Sequence, residues 1–169
     1  MTTLQHRIGI GYDIHRLEEN RDLIIGGIKI VHEKGLQGHS DADVLIHSII
    51  DAILGALALP DIGTLFPDTD EQYKGISSVL LLEKVYTLIK EKGWGINNID
   101  SNIIAQAPKM MPYIPEMKEV LANTLKIDAD LISIKAKTNE KMDAVGEMRA
   151  IEANAVVMLT KKCHCEEEL

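Results

Sequence analysis

The chain alternates apolar and polar residues in several short segments, and this period of two is typical of β-strands with one buried face. Residues 7–15 alternate in this way, which predicts a first strand. Two short apolar runs, 23–25 and 28–31, flank Gly26 and Gly27, so we expect a hairpin with a glycine turn there. Further strands are predicted over 96–107, 131–138 and 150–159.

Three other segments have the apolar content and the boundaries of helices. Residues 44–59 are dense in Ile, Leu and Ala; Asp41 or Asp43 can cap their first turn, and Pro60 ends them. The other two helices are predicted from Ser77 or Ser78 to residue 92, and over 115–125 with Pro115 in the first turn. Loops are expected over 33–40 and 61–75, and a frayed tail over 161–169.

The mixed order of strands and helices indicates an α/β fold of the α+β two-layer sandwich type. We expect a mixed sheet of about four to six strands, with about three helices packed on one face. No repeat, linker or low-complexity tract divides the 169 residues, so a single domain over 1–169 is predicted.

Composition and charge narrow the function. A hydrophobic fraction of 46% with 26% charged residues is typical of a folded protein. The net charge of −8 argues against nucleic-acid binding, which normally uses a basic surface. The sequence contains neither an apolar run long enough to span a membrane nor the apolar core of a signal peptide. We therefore expect no membrane association and a cytoplasmic location.

Asp13 and His15 are the first candidates for chemistry, because they lie two residues apart at a strand end and so share one face. They are a plausible metal pair, or simply a solvated Asp and a surface His. His47 could complete a set of two histidines and one carboxylate. Three protein ligands leave a fourth tetrahedral position open, which is the catalytic pattern for zinc.

Asp43, His47 and Asp51 recur every four residues and form a polar stripe on an otherwise apolar helix. Buried polar groups must be paired or ligated. The stripe therefore indicates either a metal ligand or a helix cap with a hydrogen-bonded core histidine.

Residues 135–141 read Lys-Ala-Lys-Thr-Asn-Glu-Lys just after a predicted strand. Lys137 and Thr138 can contact a phosphate, and Glu140 can hold a hard cation such as Mg²⁺ or Mn²⁺. The alternative is a solvated, charged turn. Near the C-terminus, Cys163-His164-Cys165 invites a metal interpretation, but three ligands so close in sequence cannot enclose one ion, and a frayed tail is preferred.

Taken in order, these features resemble the 2-C-methyl-D-erythritol 2,4-cyclodiphosphate synthase family, over residues 7–160. The resemblance rests on several spaced segments. They are Arg7-Ile8-Gly9-Ile10-Gly11-Tyr12-Asp13-Ile14-His15, Ile25-Gly26-Gly27, Glu33-Lys34-Gly35-Leu36, His39-Ser40-Asp41-Ala42-Asp43-Val44, Asp61-Ile62-Gly63, Leu65-Phe66-Pro67-Asp68-Thr69-Asp70 and Ile104-Ala105-Gln106-Ala107-Pro108-Lys109-Met110.

The resemblance implies a homotrimer, with its sheets toward the trimer axis and active sites between adjacent subunits. It implies that Asp13, His15 and His47 bind a zinc-like ion, and that Glu140 holds a second divalent ion, Mg²⁺ or Mn²⁺. The substrate would be a cytidine diphosphate ester, 4-diphosphocytidyl-2-C-methyl-D-erythritol 2-phosphate. Its 2-phosphate attacks the β-phosphorus and CMP leaves.

Further roles are implied by position in the family pattern. His39 and Thr138 match residues that stabilise the transition state, and the remaining matches are substrate contacts. These contacts are Ser40, Asp61, Ile62, Gly63, Phe66, Pro67, Asp68, Thr69, Asp70, Ala105, Gln106, Ala107, Pro108, Lys109, Met110, Met111, Lys137 and Asn139.

One segment departs from the family pattern. Ala144 stands at a family Phe position and Glu147 at a family Arg position; in the family both line a cavity on the trimer axis that can hold an isoprenoid diphosphate. We expect that ligand to be lost, or Arg149 to substitute in part. Two alternatives to the synthase stay open: a trimeric metal- or nucleotide-binding protein without turnover, and a zinc-dependent phosphohydrolase.

Overall fold

The computed structural model describes residues 2–164. Within them the strands are β1 (Thr2–Glu19), β2 (Leu23–Ile25), β3 (Ile28–Ile30), β4 (Lys34–Leu36), β5 (Gly95–Ile104), β6 (Ile132–Lys137) and β7 (Ala150–His164). Five of these form one sheet in the order β4-β1-β7-β5-β6. Strands β5 and β6 pair in parallel and the other neighbours are antiparallel, so the expected mixed sheet is confirmed.

The helices follow the predicted positions and add two short elements. They are α1 (Val44–Ala56), α2 (Ile62–Leu65), α3 (Ser78–Glu91), α4 (Ile114–Leu125) and α5 (Asp143–Gly146). Helix α1 lies against β1 and β7, α4 lies against β6, and α3 packs on α1 and α4. None of the helices within residues 2–164 has the length and hydropathy that crossing a membrane requires.

The helices cover one face of the sheet, as expected. Between residues 9 and 15 of β1 the odd-numbered positions face α1, whereas Ile8, Ile10 and Tyr12 point to the opposite face. Ile8 and Ile10 are 70% and 73% exposed in the single chain. An apolar sheet face left open in this way is typical of a surface that contacts another protein.

The glycine turn between β2 and β3 is confirmed. Gly26 and Gly27 both have positive φ angles, of 63° and 76°, which match the tight turn that fits the twist of a two-residue hairpin. Side chains with a Cβ adopt this region at a cost, and glycine does not.

Three segments differ from the sequence prediction. The expected loop over 33–40 contains β4, which pairs with the end of β1; three residues with a central glycine are too short to show alternation. The expected loop over 61–75 contains α2 and a 3₁₀ turn at Glu71–Tyr73. Strand β7 continues through 161–164 because it pairs with the start of β1. Residues 165–169 of the expected tail, with Cys165, and the side chains of Cys163 and His164 lie outside the described part of the structure.

Helix α1 rests directly on the backbone of β1. A Cβ atom placed on Gly11 would lie 1.9 Å from the carbonyl oxygen of Ser48, and one on Gly9 would lie 1.9 Å from that of Ala52. Both distances are far below van der Waals contact, and the obstructing atoms belong to helix backbone. The two glycines therefore set how closely α1 approaches the sheet.

We expect Gly11→Ala to destabilise the protein by about 1–3 kcal/mol or more, because the helix must move away to make room. Gly55→Ala, in helix α1 itself, is the control for adding a methyl group. The Cβ of that variant would lie 3.7 Å from its nearest neighbour, so we expect it to be neutral or up to about 1 kcal/mol more stable. Urea unfolding followed by circular dichroism measures both; equal stability of the two variants would contradict the close contact.

Candidate metal centre and substrate cavity

Strand β1 and helix α1 bring three metal-ligating side chains together. Asp13 and His15 lie on the face of β1 that meets α1, and His47 lies on the second turn of α1. The Nδ1 atom of His47 is 3.0 Å from Asp13 Oδ2, and His15 Nε2 is 3.1 Å from the same oxygen. The two ring nitrogens are 3.3 Å apart. The cluster predicted from sequence is therefore present.

These separations suit a small divalent cation. Ligand bonds of about 2.0–2.2 Å in a tetrahedral site place neighbouring donor atoms about 3.3–3.6 Å apart. The three donor atoms of Asp13, His15 and His47 are already close to that spacing, with no rearrangement of the backbone. Two imidazoles and one carboxylate suit zinc and several other transition metals, and they leave a fourth position for a substrate oxygen.

Each ligand is oriented by a second hydrogen bond. His15 Nδ1 lies 2.7 Å from the carbonyl oxygen of Gln37, which accepts its proton and leaves the lone pair of Nε2 free. Asp13 Oδ1 accepts from the backbone N–H of Ile14 at 2.9 Å, which leaves Oδ2 to face the histidines. His47 Nε2 lies 2.9 Å from Ser78 Oγ, on the side away from Asp13.

The charges within the cluster stabilise one another. Burial opposes ionisation of Asp13, but hydrogen bonds from His15 and His47 outweigh it and hold the pKa of Asp13 well below its usual range. Burial likewise opposes the protonated form of His15, but its hydrogen bond to Asp13 outweighs burial and raises the pKa of His15. A divalent cation at this position would replace those protons as the partner of the carboxylate.

The other two members of the polar stripe on α1 have structural roles. Asp43 caps the helix by accepting from the N–H of Ile46 at 3.0 Å, and it accepts from the N–H of Gly27 at 2.7 Å. Burial raises the pKa of Asp43 to about 6. Asp51 accepts from the N–H of Ile62 at 2.8 Å and so holds the start of α2. The sequence left ligation and capping open; the structure shows capping for Asp43, a tertiary contact for Asp51 and ligand geometry for His47.

A cavity of about 450 Å³ opens from the three candidate ligands, and we call it the metal cavity. A volume of this size suits a small organic substrate. Its walls come from β1, from α1 and the segments on either side of it, and from α3. They are formed by Asp13, His15, Gly38, His39, Ser40, His47, Ile62, Gly63, Phe66, Asp68, Tyr73 and Leu81.

Four predicted site residues near the metal cavity do not line it in the described chain. Asp61 is exposed and caps α2 by accepting from the N–H of Thr64 at 2.9 Å. Asp70 holds His39, whose Nε2 lies 3.2 Å from the Asp70 carbonyl oxygen. Pro67 and Thr69 flank Asp68 in the same segment without contributing to the wall.

Sequence reasoning missed three residues of this wall, Gly38, Tyr73 and Leu81. The Tyr73 ring makes an edge contact with Phe66, with ring centres 5.4 Å apart, and Lys84 Nζ lies 5.1 Å from the Tyr73 ring centre. An aromatic side chain in a polar segment was a usable signal in a chain with few aromatics. Leu81 carries no such signal, because it looks like any other apolar position of α3.

A second cavity of about 190 Å³ contains much of the remaining predicted set. We call it the second cavity. It shares no lining residue with the metal cavity. Its walls are Ala105, Gln106, Pro108, Lys109, Met110, Met111, Ala136, Lys137 and Thr138.

The remaining predicted residues adjoin the second cavity without lining it. Glu140 Oε1 accepts from Thr138 Oγ1 at 2.8 Å, and Asn139 donates to Asp143 Oδ2 at 2.8 Å. Ala107 precedes Pro108 through a cis peptide bond within the same loop. One chain therefore does not bring Thr138 or Glu140 to the cluster of Asp13, His15 and His47.

The segment that differs from the family pattern, around Ala144 and Glu147, contains an ion pair. Glu147 Oε2 lies 2.7 Å from Arg149 Nη2, next to the short helix α5. Neither residue lines either cavity, and neither does Ala144. The unusual residues at 144 and 147 thus leave both candidate sites untouched within the chain.

Known proteins share both the sequence and the fold. A 2-C-methyl-D-erythritol 2,4-cyclodiphosphate synthase of Clostridioides difficile is 58% identical over 153 residues, which cover 90% of this chain and 95% of the relative. The corresponding protein of Prochlorococcus marinus is 57% identical over 158 residues, covering 92% and 95%.

Two solved structures agree. An IspF–CDP complex of Plasmodium falciparum has a TM-score of 0.82 and 41% identity, covering 94% of this chain and 97% of that one. The bifunctional IspDF of Campylobacter jejuni has a TM-score of 0.90 and 40% identity, but this chain spans only 43% of it.

A sequence model of the YgbB family matches residues 6–160, nearly the whole chain. The match includes β1 with Asp13 and His15, helix α1 with His47, and the loops of both cavities. Together with the fold and the metal cluster, it establishes that the chain belongs to the YgbB family.

Proposed function

We propose that this chain is a 2-C-methyl-D-erythritol 2,4-cyclodiphosphate synthase of isoprenoid biosynthesis. It converts 4-diphosphocytidyl-2-C-methyl-D-erythritol 2-phosphate to the 2,4-cyclodiphosphate and CMP. The observation that carries the proposal is the convergence of Asp13, His15 and His47 at one end of the metal cavity. Curated relatives 55–58% identical to the chain carry the synthase name and support it.

The reaction needs positioning and charge neutralisation more than proton transfer. Nucleophile and electrophile belong to one substrate, so holding them in line supplies much of the acceleration. A zinc-like ion held by Asp13, His15 and His47 would polarise a phosphate oxygen. His39 and Ser40 line the same cavity and would donate hydrogen bonds to the reacting phosphates.

The residues around α2 shape the rest of the metal cavity. Ile62 and Phe66 would give an apolar wall to the methylerythritol part, and the backbone N–H of Gly63 would donate a hydrogen bond to it. Asp61 is exposed at the start of α2, where its carboxylate can accept from the hydroxyls of a ribose. Segment 66–70 contributes Phe66 and Asp68 to the wall. Pro67, Thr69 and Asp70 belong to the same segment and would contact the substrate once it is bound.

The second cavity suits the nucleotide end of the substrate. Backbone groups of residues 105–111 would hydrogen-bond to the edge of the cytosine base. Lys137 would supply a positive charge to the phosphates of the substrate. Thr138 offers a hydroxyl to the transition state. Glu140, with Asn139 beside it, is the carboxylate available to Mg²⁺ or Mn²⁺, which would neutralise the diphosphate. Two structurally similar proteins were solved with CDP bound, which supports a nucleotide diphosphate as part of the substrate.

A homotrimer would join the two cavities. Within one chain they share no residue, so a substrate that needs both is best served at a boundary between subunits. The open apolar face of β1 and β7 offers the contact surface. In a ring of three subunits, the metal cavity of one can then meet the second cavity of the next.

The direct test supplies the phosphorylated diphosphocytidyl substrate with Zn²⁺ and Mg²⁺ or Mn²⁺. We expect one CMP to be released for each cyclic diphosphate formed. Phosphorus NMR measures both products. No turnover would favour a binding protein, and a linear monophosphate or free phosphate would favour a phosphohydrolase.

His47→Ala should abolish stoichiometric zinc binding and lower turnover by several orders of magnitude, because a Lewis acid is worth several kcal/mol in such a reaction. Metal content by mass spectrometry and turnover are measured together. His32→Ala is the control, since His32 lines neither cavity. Full activity in His47→Ala would refute the ligand assignment.

Wild-type protein from which the metal has been removed with a chelator should lose its affinity for the diphosphate. Addition of Zn²⁺ should restore that affinity.

Complementation tests the shared site. His47→Ala and Thr138→Ala each disable one half, so both should be inactive alone. After unfolding, mixing in equal amounts and refolding, random assembly leaves about a quarter of the boundaries with both halves intact. Turnover should recover to about a quarter of the wild-type value. No recovery in a mixture that forms trimers would place the whole site within one chain.

A further inference from the structure

The second ring nitrogen of His47 belongs to a chain of hydrogen bonds that leads away from the metal centre. Its Nε2 lies 2.9 Å from Ser78 Oγ, and the Ser78 hydroxyl in turn hydrogen-bonds to Asp41 Oδ1. Ser78 is fully buried and is the first residue of α3. Neither Ser78 nor Asp41 lines the metal cavity, so the proposed reaction does not otherwise use them.

The contacts of Asp41 determine the direction of each proton in this chain. Its Oδ2 accepts from the backbone N–H of Ser78 at 2.9 Å, and its Oδ1 lies 3.3 Å from the backbone N–H of Asp43. An ionised carboxylate can only accept hydrogen bonds, and a hydroxyl has one proton to donate. Ser78 therefore donates to Asp41, and its oxygen is left to accept a proton from Nε2 of His47.

This direction matters because Nδ1 of the same ring faces the candidate metal position. A neutral imidazole carries one proton, so a proton on Nε2 leaves a lone pair on Nδ1. Asp13 Oδ2, 3.0 Å from Nδ1, favours the opposite tautomer, since it would accept a proton there. Ser40 Oγ is 3.3 Å from Nε2, farther than Ser78, and is the weaker partner of that nitrogen.

We propose that Asp41 and Ser78 are positioning residues, which hold His47 with its proton on Nε2 so that Nδ1 can ligate a divalent cation. The inference rests on the metal site of the proposed function. His15 is held in the corresponding way by the Gln37 carbonyl, which is backbone and cannot be removed by substitution. His47 depends on side chains instead, so its orientation can be tested.

The test compares Ser78→Ala and Asp41→Asn with Ser77→Ala. Loss of a second hydrogen-bond partner typically weakens metal binding by about 10–100-fold. We expect that loss of Zn²⁺ affinity in the first two variants, measured by competition with a chelating dye. Ser77 is the matched control, because it caps α3 through Val79 N–H and does not touch His47. Its variant should keep the wild-type affinity even if its melting temperature falls.

A second measurement follows the tautomer without metal. Long-range proton–nitrogen NMR at mildly alkaline pH distinguishes protonated from unprotonated ring nitrogens. We expect a smaller fraction of His47 protonated on Nε2 in Ser78→Ala than in wild type. Asp41→Asn should shift it in the same direction, because its amide can donate to Ser78 and turn the hydroxyl proton toward the ring.

The outcomes separate the two proposals. Unchanged Zn²⁺ affinity in folded Ser78→Ala and Asp41→Asn overturns the positioning role. If Ser78→Ala does not fold, the Zn²⁺ affinity of Asp41→Asn decides the question. Asp41 is partly exposed and asparagine has the same size, so this variant should fold. If wild-type protein binds no Zn²⁺, the metal site itself fails, and the ring-nitrogen shifts then decide alone: identical shifts in wild type and variants overturn the hydrogen-bond chain, and the expected change supports it.

Discussion

Helix α1 lies on strand β1 with no side chain between them at Gly9 and Gly11, and the rest of the site depends on this backbone contact. The ligands Asp13 and His15 project from β1 only two and four residues beyond Gly11. His47 projects from α1 one residue before Ser48, whose carbonyl touches Gly11. A wider separation between helix and strand would pull His47 away from its partners, so packing and metal geometry are set by the same contact.

Much of the fold follows from sequence because long periodic segments dominate it. Strands β1 and β7 alternate over many residues, and α1 is apolar on nearly every side, which matches its burial. The short elements β4 and α2 were not predicted, because three and four residues are too few to show a periodic pattern of apolar positions. The extension of β7 past residue 160 depends on pairing with the start of β1, which no local pattern can reveal.

The site shows the same division. Asp13, His15 and His47 could be selected from residue type and spacing, but Asp43 and Asp51 carry an equally suggestive spacing and serve other purposes. What separates them is which donors lie opposite each carboxylate: backbone N–H groups of the hairpin, of α1 and of α2 rather than imidazoles. That information is tertiary. The acidity of the chain is explained in part by such uses, since several carboxylates serve as helix caps, loop anchors or candidate ligands rather than as a repulsive surface.

Asp43, His47 and Asp51 also have a joint consequence for how the sequence can change. One residue of helix turns a side chain by about 100°, so a single insertion or deletion between positions 43 and 51 would rotate part of the stripe off its face. The hairpin anchor, the metal ligand and the α2 anchor would then lose their common register at once. A point substitution in this stretch affects one of these contacts at a time, whereas a change in its length affects all three. The eight-residue separation of Asp43 and Asp51 is thus fixed by three tertiary contacts made from one helix face.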